Sequence, residues 1–373
     1  MLRLSKSVLG LKECEALQRV VLEDGYLGMG NEVALFEHEI AAFLDVPRDN
    51  VVCVNSGTAA LHLATMALGV RGGDVLVPSL TYLASFQAIS AAGLRPISCE
   101  IDPDTWIIDL KDAESRITQE TVAIMPVHYA SNPIDNNALS HFAAKHKLRV
   151  IEDAAHSFGC VRAGKKVGSL GDITCFSFDG IKNITSGEGG AIVSGDKKVI
   201  SFVKDARLLG VINDTEKRFN GKRSWDFDVH HQGYRYHMSN LFAAIGRVQL
   251  KRLMDEFAPK RKSLYNQYRD NLNNISGIIL QKLIQNTDVI PHIFPIFIPE
   301  EGKRDILIQA LNESGIPTGL HYKPNHLLTL YGSGKERLPI TEKFYKGMLT
   351  LPLHPELTNN DVEYISSTIN SAM

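Results

Sequence analysis

The chain has 373 residues, 44% of them hydrophobic and 22% charged, the make-up of an ordinary globular protein with room for more than one domain. A formal net charge of −2 gives no reason to expect nucleic acid or an anionic membrane as partner. No apolar run reaches the roughly 18 residues of a membrane span, and the N-terminal stretch lacks a cleavable signal pattern, so a cytoplasmic chain is expected. Cys14, Cys53, Cys99, Cys160 and Cys175 are widely spaced and odd in number, which predicts buried free thiols in a reducing compartment. No CxxC or HExxH pattern points to a metal.

In chain order, VVCV (Val51–Val54) predicts a buried strand, and SGTAALHLATMALGV the helix after it. DVLVPS (Asp74–Ser79) predicts a second strand, followed by a helix in TYLASFQAISAAG. RPISCEID, TVAIMPVH, LRVIEDAA and TCFSF continue as strands, most of them separated by helix-like segments. Near-continuous apolar strands alternating with helices predict an α/β fold with a largely parallel sheet covered on both faces. The polar, aromatic-spotted segment Asp214–Gln232 predicts a loop or short hairpin. A long helical pattern follows Met238, with a break expected near Pro259. HIFPIFI, a helical DILIQALNESG, TGLHY and a closing helix then predict a smaller α+β domain. The boundary falls near Glu256, giving a large domain over residues 1–255 and a small one over 256–373.

Three stretches carry chemistry. In Asn55-Ser56-Gly57-Thr58, a buried strand feeds a small-residue turn and then a helix, whose first N–H groups and dipole favour an anion. A plain Ser or Thr cap is the alternative. In VIEDAAHSFG, Glu152 and Asp153 end an apolar strand at a sheet's carboxyl edge, where α/β folds bind ligands. Period-two alternation sends them to opposite faces, so only one can enter a site. A cap on the next helix is the alternative for the strand-end acid, and His156 serves either a site or the core. In FSFDGIKNITSGEGGAIVSGD, Lys182 is seated between a strand and a Gly-rich turn, an unusual place for a solvated charge, although most lysines are surface residues. Ser177 on the same strand can bond a phosphate or the backbone, and Tyr82 can stack on a flat cofactor or on the core. A lysine amine able to form a Schiff base and an aspartate able to sit under a pyridine nitrogen are what pyridoxal phosphate chemistry requires.

Phosphate turn, aromatic, strand-end aspartate, serine and lysine follow the order of fold-type I pyridoxal phosphate enzymes. NSGTAALHLA, GGDVLVPSLTYLAS, VIEDAAHSFG, GSLGDITCFSFDGIKNITSGEGGAIVSGD, GYRYHMSNLFAAIGRVQLKRL, GIPTGLHYKPNH and LPLHPELTNNDVEYI resemble the DegT/DnrJ/EryC1/StrS family of sugar aminotransferases, essentially end to end. The resemblance implies Lys182 as the Schiff-base lysine, Asp153 under the pyridine nitrogen, Tyr82 on the ring face and His156 near the phenolic oxygen. It also implies Ser56, Gly57, Thr58 and Ser177 around the phosphate. Relatives carry an asparagine that reaches the partner subunit's cofactor phosphate; here the segment is YRYHMSNL, with His237 near that place. Family dehydratases replace the lysine with histidine, so Lys182 argues for amino transfer.

The implied protein is a homodimer with shared active sites. It takes L-glutamate and a nucleotide-diphosphate sugar, most simply dTDP-4-keto-6-deoxyglucose aminated at C4, for O-antigen assembly. GDP-perosamine, UDP-sugar and C3-type reactions are the alternatives. Arg235, His321, Tyr322 and Lys323 are the better candidates for substrate contacts, with Arg207, Arg223 and His326 behind them. A non-catalytic regulator that keeps the fold is a rival reading, though the charge does not suit DNA. A dinucleotide dehydrogenase is rejected, because no G-x-G-x-x-G follows the first strand.

Overall fold

The computed structural model describes residues 2–223, 225–332 and 337–373. Its strands are β1 (Val51–Val54), β2 (Asp74–Pro78), β3 (Arg95–Cys99), β4 (Thr121–Ile124), β5 (Arg149–Asp153), β6 (Val161–Arg162) and β7 (Lys165–Lys166), followed by β8 (Ile173–Ser177), β9 (Gly190–Ser194), β10 (Ile279–Leu280), β11 (Thr287–Asp288), β12 (Phe294–Phe297) and β13 (Met348–Leu351). Seven of them form the central sheet, in the order β1-β9-β8-β5-β4-β2-β3.

The β2–β3, β2–β4, β4–β5 and β5–β8 pairs are parallel, in keeping with the alternating strand and helix pattern. The six expected strands all form. A seventh, β9, is inserted antiparallel between β1 and β8. The reason lies in the connection: residues 178–189 hold the Lys182 turn and no crossover helix, so the chain can only double back.

Alternation along β8 sends Ile173 and Cys175 to one apolar layer and Phe176 to the other. The first layer packs against the helix Gly57–Met66 through Ala60, Leu61 and Leu63. The second packs against Asn31–Leu44 and Asn240–Arg252, through Val33, Phe36 and Ala243. With both faces covered, every residue of β1, β2, β8 and β9 is buried.

Two expectations need correction. The long helix after Met238 is not broken at Pro259: Asn240–Arg252 passes through a π-helical turn, Leu253–Phe257, into Ala258–Leu272. Pro259 sits in the first turn of the last segment, where a missing N–H costs little, and the widened turn just before it absorbs the irregularity. The segment from Asp214 opens with a helix, Asp214–Phe219, instead of a loop or hairpin.

Strands β10, β12 and β13 form a small antiparallel sheet. With Ala258–Leu272, Lys303–Glu313 and Asn359–Ala372 it surrounds a separate core that includes Leu264, Tyr268, Leu307 and Ile365. β11 pairs with β6, tying this part of the chain to the hairpin after Asp153. All five cysteines are free, four of them buried and Cys14 exposed. Among the described residues, no helix is long and apolar enough to cross a membrane.

Candidate active site

The carboxyl ends of β1, β5 and β8 open on one cleft of about 430 Å³. At the end of β1 the chain turns into the helix Gly57–Met66, and the Ser56 hydroxyl caps it by accepting the Ala59 N–H at 3.1 Å. Gly57 is required by contact. A Cβ there would stand 2.8 Å from Ser177 Cβ and 3.0 Å from Ser177 Oγ. Gly190 is equally tight, since its Cβ would meet the Ser56 carbonyl oxygen at 2.5 Å. Two glycines therefore let the helix N-terminus close against the end of β8 and leave first-turn N–H groups beside a serine hydroxyl, an anion-binding arrangement.

β5 separates its two acids as alternation requires. Glu152 turns into the core, where Arg162 Nη1 lies 2.6 Å and His128 Nε2 3.0 Å from its carboxylate. Burial works to raise its pKa, but His128 and Arg162 more than offset this and hold it at about 2. Asp153 faces the cleft and accepts the Ser85 hydroxyl at 2.7 Å and the Ala155 N–H at 3.2 Å. Burial pushes its carboxyl up from the usual range, against Ser85, Ala155 and Lys182.

Lys182 stands in the turn after β8, its N–H donating to the Asp179 carbonyl at 3.1 Å. Burial draws the amine down to about 8 despite the nearby Asp153 and Asp179. His156 Nε2 lies 3.1 Å from the Tyr322 hydroxyl, and burial keeps the imidazole well below its ordinary pKa, hence neutral. Tyr82, 59% exposed, sets its ring 5.4 Å from that of Tyr322 at the cleft mouth. His321 Nδ1 lies 3.0 Å from Thr350 Oγ1, and burial together with Lys182 lowers its pKa to about 4.

Ser56, Gly57, Thr58, Tyr82, Asp153, His156, Ser177, Lys182, His321 and Tyr322 thus line one cleft. Arg235, His237 and Lys323 do not. His237 is bridged to Val54 through its backbone, and burial with the nearby Arg235 lowers its ring to about pKa 4. Arg235, Lys323 and Arg223 are exposed. Arg207 is buried under β1, with its guanidinium on Glu37 and the Cys53 carbonyl, which removes it from the substrate candidates. His326 is likewise buried, 2.7 Å from the Ser79 hydroxyl. The cleft also holds residues the sequence did not single out: Thr81, Asp179 and Glu188 on its walls, Ser85 behind Asp153, and His292 behind Lys182.

The chain matches the model of the DegT/DnrJ/EryC1/StrS aminotransferase family over residues 10–370. It belongs to that family. It is 35% identical over 350 residues to GDP-perosamine synthase of Escherichia coli O157:H7, covering 91% of this chain and 90% of that one. It is 31% identical over 376 residues to dTDP-4-dehydro-2,3,6-trideoxy-D-glucose 4-aminotransferase of Saccharopolyspora spinosa, covering 100% and 97% of the two chains. Its structure is similar to that of Spr1654 from Streptococcus pneumoniae in the PLP-form, with a TM-score of 0.91 and 27% identity over 99% of this chain and 98% of that one. Spr1654 has also been solved in the PMP-form.

The fold is accordingly fold-type I, and the DegT/DnrJ/EryC1/StrS enzymes are pyridoxal phosphate-dependent aminotransferases. The residues present fit that cofactor. Gly57 and Gly190 admit a close approach of the helix start to β8 that any Cβ would block, the helix N-terminus suits a phosphate, and a buried carboxylate and a buried amine share one cleft.

Proposed function

We propose that this aminotransferase moves an amino group from L-glutamate to C4 of a nucleotide-linked 4-keto-6-deoxy sugar. The first substrate is dTDP-4-keto-6-deoxyglucose, giving dTDP-4-amino-4,6-dideoxyglucose for surface polysaccharide (O-antigen) assembly. The observation that carries the reading is Lys182, a buried amine drawn down to about 8 that shares its cleft with Asp153 and the glycine cradle. A histidine in its place would point to dehydration. The S. spinosa relative, a dTDP-sugar 4-aminotransferase by name, supports both the nucleotide and the carbon. GDP-perosamine synthase makes a GDP-linked sugar the second reading.

Bound pyridoxal phosphate supplies the electron sink that makes a Cα–H bond of the donor acidic. The first-turn N–H groups of Gly57 and Thr58, with the Ser177 hydroxyl, would hold its phosphate. Asp153, kept in place by Ser85 and Ala155, would pair with the pyridine nitrogen and favour its protonated form by opposite charge. Tyr82 would cover the face of the bound ring, and neutral His156 would serve its phenolic oxygen. Lys182 would hold the cofactor, and its Nζ, when free, would take the donor's Cα proton as a general base and deliver it to a different carbon as a general acid.

The substrate contacts come in part from a second copy of the chain. The described walls of the cleft carry Asp153, Asp179 and Glu188, with Lys182 as their single Lys or Arg. A diphosphate and a dicarboxylate donor need more positive charge than that. A homodimer with shared sites meets the need through Arg235 and Lys323, with neutral His237 reaching across to the partner's cofactor phosphate and His321 and Tyr322 adding polar contacts to the sugar nucleotide.

Incubation of the purified protein with pyridoxal phosphate, glutamate and a panel of dTDP-, GDP- and UDP-linked keto sugars tests the reading, with products read by mass spectrometry and NMR. An amino sugar from the dTDP substrate is expected. No product from it, with product from a GDP or UDP sugar, replaces the substrate and keeps the transaminase. The Lys182→Ala variant is expected to lose turnover and the visible band of the tethered cofactor. Full turnover without Lys182, or a band that glutamate never shifts, would sink the mechanism and favour a non-catalytic regulator.

A further inference from the structure

Behind Lys182 lies a residue the chemistry above does not use. Lys182 Nζ is 3.4 Å from Nε2 of His292, just ahead of β12. The His292 side of this contact is rigid. The residue is 3% exposed. Its N–H donates to the Ser131 hydroxyl at 2.9 Å, and its carbonyl accepts from Arg261 Nη1 at 3.3 Å. Its ring packs against His156 with centroids 4.5 Å apart. Its Nδ1 has no hydrogen-bond partner among the described residues. Burial, Lys182, His156, Arg261 and His321 all push the imidazole well below its ordinary pKa, so it is neutral. With its proton on Nδ1, such a ring presents a lone pair at Nε2.

We propose that His292 is a positioning residue for Lys182: its Nε2 accepts a hydrogen bond from Nζ whenever the amine is free of the cofactor, and so keeps that amine within reach of the carbon it serves. The proposal rests on the role given to Lys182 above. A released lysine has a long flexible stem, and a fixed acceptor restricts the positions its amine samples. A neutral imidazole does this without taking the proton, which stays on Nζ for delivery. No bond to His292 forms or breaks.

The test compares His292→Leu with His292→Gln, whose Oε1 can accept a hydrogen bond but does not titrate. In the holoenzyme, His292→Leu is expected to lower kcat about tenfold to a hundredfold while both KM values stay within about threefold, and His292→Gln to restore most of the rate. A second readout does not depend on turnover. With the donor added and Lys182 free, acetylation of Lys182 by acetic anhydride is followed across a pH series by peptide mass spectrometry. Loss of an acceptor disfavours the ammonium form, so the titration midpoint should move to lower pH in His292→Leu and return in His292→Gln.

A His292→Leu enzyme with wild-type kcat and an unmoved midpoint overturns the proposal. So does a folded His292→Gln enzyme as slow as His292→Leu. If His292→Leu does not fold, His292→Gln decides alone: near-wild-type kcat and midpoint support the acceptor, and their loss overturns it. Turnover without Lys182 would instead sink the underlying mechanism, so the two failures are distinguishable.

Discussion

In the role proposed for Asp153 the charge is the contribution, and its surroundings allow that to be separated from its shape. The carboxylate already receives the Ser85 hydroxyl and the Ala155 N–H, so an amide of the same outline can sit in the same place. Asp153→Asn is therefore expected to fold and retain cofactor while losing the negative charge proposed to keep the pyridine nitrogen protonated. Turnover should fall about a hundredfold or more, with the absorbance of the bound cofactor altered and the melting temperature nearly unchanged. Wild-type turnover in this variant would show that the carboxylate is not the partner of the ring. At this scale, the legible residues were those whose place is fixed by a strand end: Asp153, Ser177 and Lys182 each follow an apolar run that announces the sheet edge. Ser85 and His292 were not legible. Ser85 lies a turn inside a helix and reaches Asp153 across 68 positions of sequence. His292 meets Lys182 across 110, and a lone histidine among apolar residues ordinarily reads as core.

Elements enter through how closely they approach. The helix Gly57–Met66 can present its N-terminus to an anion only because Gly57 lies directly against Ser177. In Gly57→Ala, the new methyl would stand 2.8 Å from Ser177 Cβ, on a strand that cannot yield. The helix start must move instead. Cofactor affinity is expected to drop about tenfold or more, and stability by about 1–3 kcal/mol, read by absorbance titration and by thermal melting. Unchanged affinity would remove the cradle from the phosphate site. Beneath the same edge, β5 is held by Glu152 with Arg162 and His128, all buried. Arg162→Met strands a buried carboxylate and should cost about 3–5 kcal/mol in urea unfolding. The pH signature follows from the sign of the shift. Glu152 is near 2 in the fold against 4.5 for the ordinary group, so its ion-pair contribution is complete above about pH 4.5 and drains away as pH falls toward 2. In the variant that acid-side loss should flatten. The sequence supported six strands and the alternating helices, because apolar runs declare themselves locally. It missed β9 altogether, and with it the antiparallel return that follows from the absence of a helix between β8 and β9. It also misplaced the irregularity at Pro259, because proline at a helix start is tolerated while the turn ahead of it is not visible in composition.

At the scale of the whole molecule, the described walls of the cleft are short of positive charge. Its walls put three carboxylates against Lys182, and the remaining candidates, Arg235, His237 and Lys323, lie off it. The stretch ahead of Arg235 exposes large apolar side chains among charged ones: Trp225 is 87% exposed, and Leu209, Phe227 and Val229 are exposed as well. Exposed apolar side chains, together with a cleft whose described walls are short of cations, suit a two-fold interface in which each copy supplies missing groups to the other. Light scattering should then give twice the 41.2 kDa of the chain. Subunit mixing gives the sharper test. Lys182→Ala and His237→Ala are expected to be inactive or strongly impaired on their own. In a hybrid of the two, one shared site carries both lesions and the other carries neither, so about half the wild-type activity per hybrid should return. An inert hybrid would mean that the two residues serve the same chain, and a monomer of full activity would dispose of the shared site altogether. Recovery would require the Lys182 of one protomer and the His237 of its partner to work on one cofactor, which would explain why a single chain leaves His237 outside the cleft.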